Sequence, residues 1–463
     1  MDTINRLTTT FADLAWGPWL LALLIGGGFA FLVYSRFTPF AYLGHAVDLI
    51  RGKYDNPDDP GHINHAKALS AALAGTIGMG NIAGVALAIS IGGPGCIFWM
   101  WMTAILGMAT KFFTCSLAVM FRGKDSAGEV QGGPMYVIRE ALPKKYHFLA
   151  YWFAIFGVIA SLPALQSNQL IQIFRDLVFV EYGLVEAGAD TTALNLGLGV
   201  ALAGLTAAVI FGGLKRIANV AGAAVPSMAV LYMGAALIAL IFNFDKVPAA
   251  FALIFTDAFT GEAAASGSLL TMILYGVRRG AFSNEAGIGT ESMAHGAAKT
   301  KEPIREGLVA MTGPVIDTLL ICTTTALMIL VSGVWQSEVS EGVTLTAAAF
   351  SELLGPFGTV VIFLCVLSFA TTTIFTYSFY GTQCTNFLFG AHNKHYYNWA
   401  HVSFILLFSV MSIEAAVALI DGAFALMAIP TMTSAFLLAP KVKAAATEYF
   451  LKLKQTPQAS TPP

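Results

Sequence analysis

Residues 74–84 read Ala74-Gly-Thr-Ile-Gly-Met-Gly-Asn-Ile-Ala-Gly84, in the middle of an apolar stretch long enough to cross a membrane as a helix. Gly75, Gly78, Gly80 and Gly84 each cost about 1 kcal/mol relative to Ala in a helix interior, so the run predicts a span interrupted part-way. Unwound backbone at membrane depth persists only where protein or a water-filled cavity satisfies its polar groups. A second interruption is expected at Gly280-Ala-Phe-Ser-Asn-Glu-Ala-Gly-Ile-Gly289. Two broken helices in corresponding halves of a chain point to a midplane site that holds a solute and an ion.

Composition supports that reading. Of the 463 residues 56% are hydrophobic and 11% charged, against roughly 25% charged in a soluble domain. Windows of about 20 apolar residues predict eleven crossings, near 14–36, 66–92, 95–121, 148–179, 192–212, 216–243, 264–296, 304–334, 354–389, 397–420 and 422–440. Alternating strands of about ten residues, the mark of a membrane barrel, are absent, so the expected fold is an all-α membrane protein. The first of these segments is read as a helix and not a signal peptide, because only Arg6 precedes it and no small-residue cleavage site follows. Cys96, Cys115, Cys322, Cys365 and Cys384 lie in apolar segments without metal-like spacing and read as packing residues. No basic cluster is dense enough to track nucleic acid phosphates.

Loops on the cytoplasmic side carry the excess of Lys and Arg. The segments 36–67, 122–147, 213–216, 278–305, 390–397 and 441–463 hold all but four of the 25; Arg6, Arg175 and Lys246 fall on the other side, and Lys111 lies within a helix. This predicts the N-terminus outside and the C-terminus inside. Helix 14–36 stands alone, and 66–243 and 264–441 form two five-helix blocks, each opening with a broken helix. An odd number of crossings inverts the second block relative to the first. The tail 442–463 is expected as an exposed cytoplasmic extension ending in a Pro-, Ser- and Thr-rich stretch.

Five ordered motifs are specific enough to name a family. Gly75-Thr-Ile-Gly-Met-Gly-Asn-Ile-Ala-Gly-Val-Ala86, Gly92-Gly-Pro-Gly95 followed by Phe98-Trp-Met-Trp101, Gly107-Met-Ala-Thr-Lys-Phe112, Gly132-Gly-Pro-Met-Tyr136 and Arg279-Gly-Ala-Phe-Ser-Asn-Glu-Ala-Gly287 resemble the alanine/glycine:cation symporter family over nearly the whole chain. The resemblance implies a leucine-transporter-like five-plus-five fold, sodium or proton coupling, and small neutral amino acids as substrates. It further implies a multi-pass monomer of the bacterial inner membrane with no cofactor besides Na+ as coupling ion. Two positions depart from the family pattern. Thr114 stands where the family usually has Glu, and Thr376-Tyr377 stands where it usually has Gly-Trp.

An amino acid zwitterion entering a low-dielectric site needs a partner at each end. The start of a half-helix offers free N–H groups and partial positive charge, so Thr76, Gly78, Met79, Gly80 and Asn81 are the expected carboxylate site. Carbonyls of the second break, at Gly280, Ala281 and Phe282, with Asn284 beside them, are expected to take the ammonium. Gln166 in the polar run Gln166-Ser-Asn-Gln169 is the candidate helix 4 contact, since intramembrane polar groups usually face the bundle interior. Phe282 and Tyr377 are expected to wall the side-chain pocket and to favour Ala or Gly by exclusion. Sodium prefers oxygen ligands; the resemblance implies the carbonyls of Ala74 and Ile77 with the hydroxyls of Thr372 and Thr373.

Lys111, Glu285, Asp317 and Glu414 are charges in or beside the membrane, each either a transport group or a tie between helices. The expected function is sodium-coupled uptake of small neutral amino acids by alternating access. A proton-coupled or glutamine-preferring relative is the alternative. A channel needs a ring of carbonyls or charges and an enzyme a nucleophile-base pair or a motif such as His-Glu-x-x-His; neither pattern occurs in the sequence.

Overall fold

A computed structural model of the chain describes residues 2–180, 183–186, 190–260, 262, 268–336, 342–411 and 414–455. It is almost entirely helical. The chain begins with α1 (Asp2–Ala15) and α2 (Pro18–Tyr34), separated by Gly17 and started by Pro18, which is tolerated there because the first N–H of a helix has no helical partner. The short α3 (Thr38–Ala41) and α4 (Leu43–Ile50) lead to the first broken span. That span is α5 (His65–Thr76) and α6 (Val85–Gly92), joined through a π-helical turn at Gly80–Gly84. Asn64 caps α5 by accepting the Lys67 N–H at 3.0 Å, which satisfies a donor otherwise orphaned at a helix start.

The helix α7 (Cys96–Met120) is 89% buried over its most apolar window, more than any other span, and serves as the central post against which α2, α14 and α16 pack. A small antiparallel pair, β1 (Gly123–Lys124) and β2 (Val130–Gln131), turns the chain into α8 (Pro134–Ala141). The single helix expected over 148–179 is two, α9 (His147–Ala160) and α10 (Ala164–Phe174). Pro163 separates them, since it lacks an N–H and its ring clashes with the preceding turn.

α11 (Thr192–Ile210), α12 (Gly213–Phe242) and α13 (Val247–Thr260) follow. The second broken span is α14 (Leu269–Asn284) and α15 (Glu291–Gly296). α16 (Pro303–Ala310) continues through a π-helical stretch, Val315–Cys322, into α17 (Thr323–Ser332). α18 (Val343–Leu354) lies over the first break, where Thr346 donates to the Ile82 carbonyl at 3.1 Å. α19 (Pro356–Phe389), α20 (Lys394–Val410), α21 (Glu414–Leu426) and α22 (Ala428–Gln455) complete the chain.

Among the described residues, eight helical runs are long and apolar enough to cross a membrane, or nine if α5 and α6, bent by 53°, count as one span. Residues 397–440 do not divide at Asp421 as expected: that residue is helical, and its carboxylate pairs with Arg278. A charge that has an internal partner does not mark a helix end. The tail also differs. α22 runs to Gln455 with Val442, Ala446 and Tyr449 buried, so it stays on the body well beyond Lys441; the Pro-rich residues 456–463 lie outside the described residues. Arg278 bonds Asp13 of α1 at 3.3 Å. It therefore lies with the N-terminal helix, two turns before the break, and not with the rest of the basic segment 278–305 in which it was counted.

Candidate functional site

The first break is shorter than its glycines suggest. α5 stays helical through Thr76, whose hydroxyl reaches the Leu73 carbonyl at 3.4 Å, and the chain leaves the helix at Ile77 (φ −74°, ψ 94°). Gly75 is helical, and glycine there lets Tyr380 and Thr376 of α19 approach: an added Cβ would lie 3.1 Å from the Tyr380 hydroxyl. At Gly78 the same test puts a Cβ 2.5 Å from the Thr373 hydroxyl oxygen, so glycine there admits Thr373 to the unwound turn. Gly80 is different. A Cβ would meet Phe282 at 3.6 Å and Ser283 at 3.7 Å, ordinary contact distances.

Asn81 holds the break together. Its Oδ1 accepts the Gly78 N–H at 2.8 Å, and its Nδ2 donates to Oδ1 of Asp317 at 2.6 Å and to the Asp317 carbonyl at 3.1 Å. The Asp317 carboxylate also accepts from Ser283 at 2.9 Å and Thr318 at 2.7 Å. Asn81, Ser283, Asp317 and Thr318 are all at most 1% exposed. Asp317 thus ties the first break to the last turn of α14. The Asn81 amide is engaged by protein, which leaves the Met79 and Gly80 N–H groups as the half-helix start, where no preceding turn supplies acceptors.

The second break lies later than expected. Gly280 and Phe282 are inside α14, and the Ala281 carbonyl accepts the Glu285 N–H at 3.0 Å. Gly280 is there for packing, because an added Cβ would collide with Thr103 of α7. The chain turns at Glu285 (φ 55°), Gly287 (φ 87°) and Gly289 (φ 99°), a left-handed backbone that glycine adopts without penalty and Glu does not. Asn284 closes α14: its Oδ1 accepts the Ala286 N–H at 3.0 Å and its Nδ2 donates to Thr103 at 3.2 Å. The Glu285 carboxylate accepts from Thr290 and, at 3.1 Å, from the Tyr377 hydroxyl.

On α19, Thr373 donates to the Phe369 carbonyl at 2.9 Å, which leaves its lone pairs facing the break at Gly78. Thr372 donates to Ser368 at 2.8 Å and lies 3.9 Å from the Met228 sulfur of α12. Ala74 and Ile77 are fully buried beside the break. Phe282 and Tyr377 both pack on Phe424 of α21, with ring centroids 5.3 and 6.5 Å away. Gln166 is buried on α10 at 5% exposure and its side chain makes no hydrogen bond among the described residues, whereas Asn168 donates to the Phe408 carbonyl at 3.4 Å and Gln169 to Gln172 at 3.2 Å. Glu414 is on the surface and accepts from Asn5 at 3.0 Å.

Two kinds of residue were invisible to the sequence reading. Ser283 lies inside the quoted second run but shows its role only beside Asp317, and Phe424 carries no local signal. Gln166→Leu is expected to weaken substrate affinity about tenfold, the loss of roughly one hydrogen bond, with the folded fraction unchanged. Equilibrium binding with a thermal melt checks it; wild-type affinity would make Gln166 a packing residue.

Comparison with known proteins agrees with this architecture. The sodium:alanine symporter family model matches residues 1–461. The sodium/alanine symporter AgcS of Methanococcus maripaludis is 38% identical over 95% of both chains. The probable sodium/glutamine symporter GlnT of Bacillus subtilis is 33% identical over 94% of this chain and 89% of its own. Among solved structures, MhsT in complex with L-phenylalanine superposes with a TM-score of 0.57 at 12% identity, covering 83% of this chain and 98% of that one, which shows a shared fold. With its motifs in order, its broken helix in place and near full-length matches, this chain belongs to the sodium:alanine symporter family, a family of membrane transporters.

Proposed function

We propose that the protein couples sodium entry to uptake of a small neutral amino acid, alanine or glycine, by alternating access. The observation that carries this reading is the first break itself, where the Met79 and Gly80 amides, the Thr373 hydroxyl and the Asp317 cluster all meet one unwound turn. The amides take the substrate carboxylate. Sodium is held by Thr373 with the Ala74 and Ile77 carbonyls, and Asp317 and Ser283, tied to the break by Asn81, supply a second set of oxygens. Hydroxyls, carbonyls and a carboxylate suit a hard cation, and no group of three His, Cys, Asp or Glu arranged for a metal occurs among the described residues. Gln166, Phe282 and Tyr377 bound the substrate from the other side.

The membrane arrangement belongs to the same proposal: eleven crossings, an inverted five-plus-five repeat, the N-terminus outside, and a monomer in the bacterial inner membrane. A glutamine-preferring or proton-linked variant is favoured by one observation. Tyr377 takes the place of the family's usual Trp, which leaves a smaller ring, and it is hydrogen-bonded to the buried Glu285.

The test is binding of labelled alanine in detergent with sodium varied, in wild type and Thr373→Ala. The variant is expected to need roughly tenfold more sodium for half-maximal binding, the equivalent of about one lost ligand interaction at 1.4 kcal/mol. An unchanged sodium curve removes Thr373 from the ion site. Stronger displacement of the label by glutamine than by glycine favours the glutamine-preferring reading.

A further inference from the structure

A cavity of about 550 Å³ lies where the end of α2, the short α3, α7 and the C-terminal half of α22 meet. Much of its lining is aromatic. Phe112 and Phe113 of α7, at most 1% exposed, form the floor, with Tyr42, Phe450 and Leu451 beside them; Tyr42 and Phe450 are stacked. The charged lining is three cations, Arg36, Lys443 and Lys454, and no carboxylate. Cavities of about 440 and 400 Å³ elsewhere differ in this, since Asp55 lines one and Asp125 and Glu129 line the other.

The three cations have no counter-charge. None makes an ion pair or a side-chain hydrogen bond among the described residues; Lys443 Nζ stands over the Tyr34 ring, 4.0 Å from its centroid. The one carboxylate on this part of α22, Glu448, pairs with Lys452 at 2.7 Å, and neither lines the cavity. Ser35 and Thr447 spend their hydroxyl protons on backbone carbonyls, at 3.0 and 2.9 Å. Lys443, Thr447, Phe450 and Lys454 recur at helical spacing, so one face of α22 carries both charge and apolar surface to the cavity.

The turn that presents Arg36 is strained. α2 ends with the Phe37 N–H donating to the Leu32 carbonyl and the Arg36 N–H to the Val33 carbonyl, both at 3.0 Å. In this type of helix ending glycine usually takes the left-handed position. Here Arg36 (φ 54°) takes it and Phe37 (φ 60°) follows, a conformation unfavourable for any residue with a Cβ. Strain of this kind gathers at ligand clamps and similar sites.

We propose that this cavity binds one anionic diacyl phospholipid, with its phosphate between Arg36 and Lys443 and its chains against Phe113, Phe450 and Leu451. Lys454, three turns beyond Lys443, adds attraction from the rim. Arg36 belongs to the basic segment 36–67 and both lysines to 441–463, which puts the site at the cytoplasmic leaflet in the orientation proposed above. Basic pockets between membrane helices suit anionic headgroups, and tyrosines such as Tyr34 and Tyr42 are the rings found at headgroup level. A soluble phosphate would leave the aromatic floor in water, whereas a lipid covers it. Phe37, Phe40 and Leu451, each about half exposed, carry the apolar surface outward to the bilayer.

The test is native mass spectrometry of the full chain, delipidated in detergent and titrated with phosphatidylglycerol or with phosphatidylcholine of the same chains. One phosphatidylglycerol is expected to bind at least about tenfold more tightly than phosphatidylcholine, and excess glycerol phosphate is expected not to displace it. Each cation contributes about fivefold to affinity, so Arg36→Gln with Lys443→Gln and Lys454→Gln loses roughly a hundredfold. Lys124→Gln with Lys144→Gln and Lys145→Gln removes equal charge from exposed positions in the basic segment 122–147 and is expected to lose less than about threefold. Arg36→Gly removes one cation and eases the left-handed turn. It is expected to bind phosphatidylglycerol about fivefold more weakly with Tm unchanged or raised, and it tests the site even where the triple variant fails to fold. Equal loss in the two triple variants means diffuse surface charge and overturns the proposal. Equal binding of the two lipids, displacement by glycerol phosphate, or wild-type affinity in Arg36→Gly overturns it as well.

Discussion

Gly80→Val abolishes amino acid binding while the protein stays folded. The expectation follows from the contrast among the glycines of the first break. A side chain at Gly78 collides with Thr373 and disturbs the proposed ion site directly, whereas a Cβ at Gly80 meets only ordinary contacts with Phe282 and Ser283. Damage at Gly80 therefore reports on what approaches the Met79 and Gly80 amides from outside the protein. The valine excludes a carboxylate from those N–H groups, and an anion that loses its only partners in a dry site does not bind. Gly84→Ala is the control. Its Cβ has nothing nearer than the Met79 carbonyl at 3.9 Å, and Ala is the better helix former. Alanine binding by Gly80→Val at wild-type strength would place the substrate elsewhere.

Asp317→Asn has the second large expected effect. Three donors converge on this carboxylate, from Asn81, Ser283 and Thr318, and a carboxylate can accept from all of them. An amide turns one NH2 towards a donor, at a cost of about 1–3 kcal/mol for the group left unsatisfied. It also removes the negative charge beside the proposed ion. Wild type in sodium at about a hundred times its Kd gains roughly 2.7 kcal/mol of stability, seen as a rise in Tm. Asp317→Asn is expected to melt earlier and to show no sodium-dependent rise. A wild-type sodium response in the variant would make Asp317 only a tie between helices.

The broken helices were legible because glycine leaves its mark in sequence, but their extents were not. Gly75 and Gly280 read as unwound, yet both are helical, and glycine stands there so that α19 and α7 can come close. Which glycine unwinds a helix and which packs it depends on a neighbour far along the chain. The second break moved to Glu285–Thr290 for that reason. Asp317 stood out as a charge in an apolar run, but its partners come from two other elements and none is implied by spacing. Arg278 and Asp421 each suggested a boundary or a loop, and their pairing turned both into interior residues. The buried tie in which Glu306 bonds both His65 and His295 joins residues up to 241 positions apart, beyond the reach of any local pattern. The helices α13 and α18 were missed because they are too short to register in a 20-residue window.

In the function proposed above, sodium and a small amino acid move together. Its most direct test is uptake of labelled alanine into proteoliposomes of the purified protein, with an inward sodium gradient, an inward potassium gradient of the same size, or an inward proton gradient. Accumulation above the external concentration is expected with sodium alone, collapsing when a sodium ionophore is added. Equal accumulation under potassium and sodium, or accumulation only under the proton gradient, would contradict it.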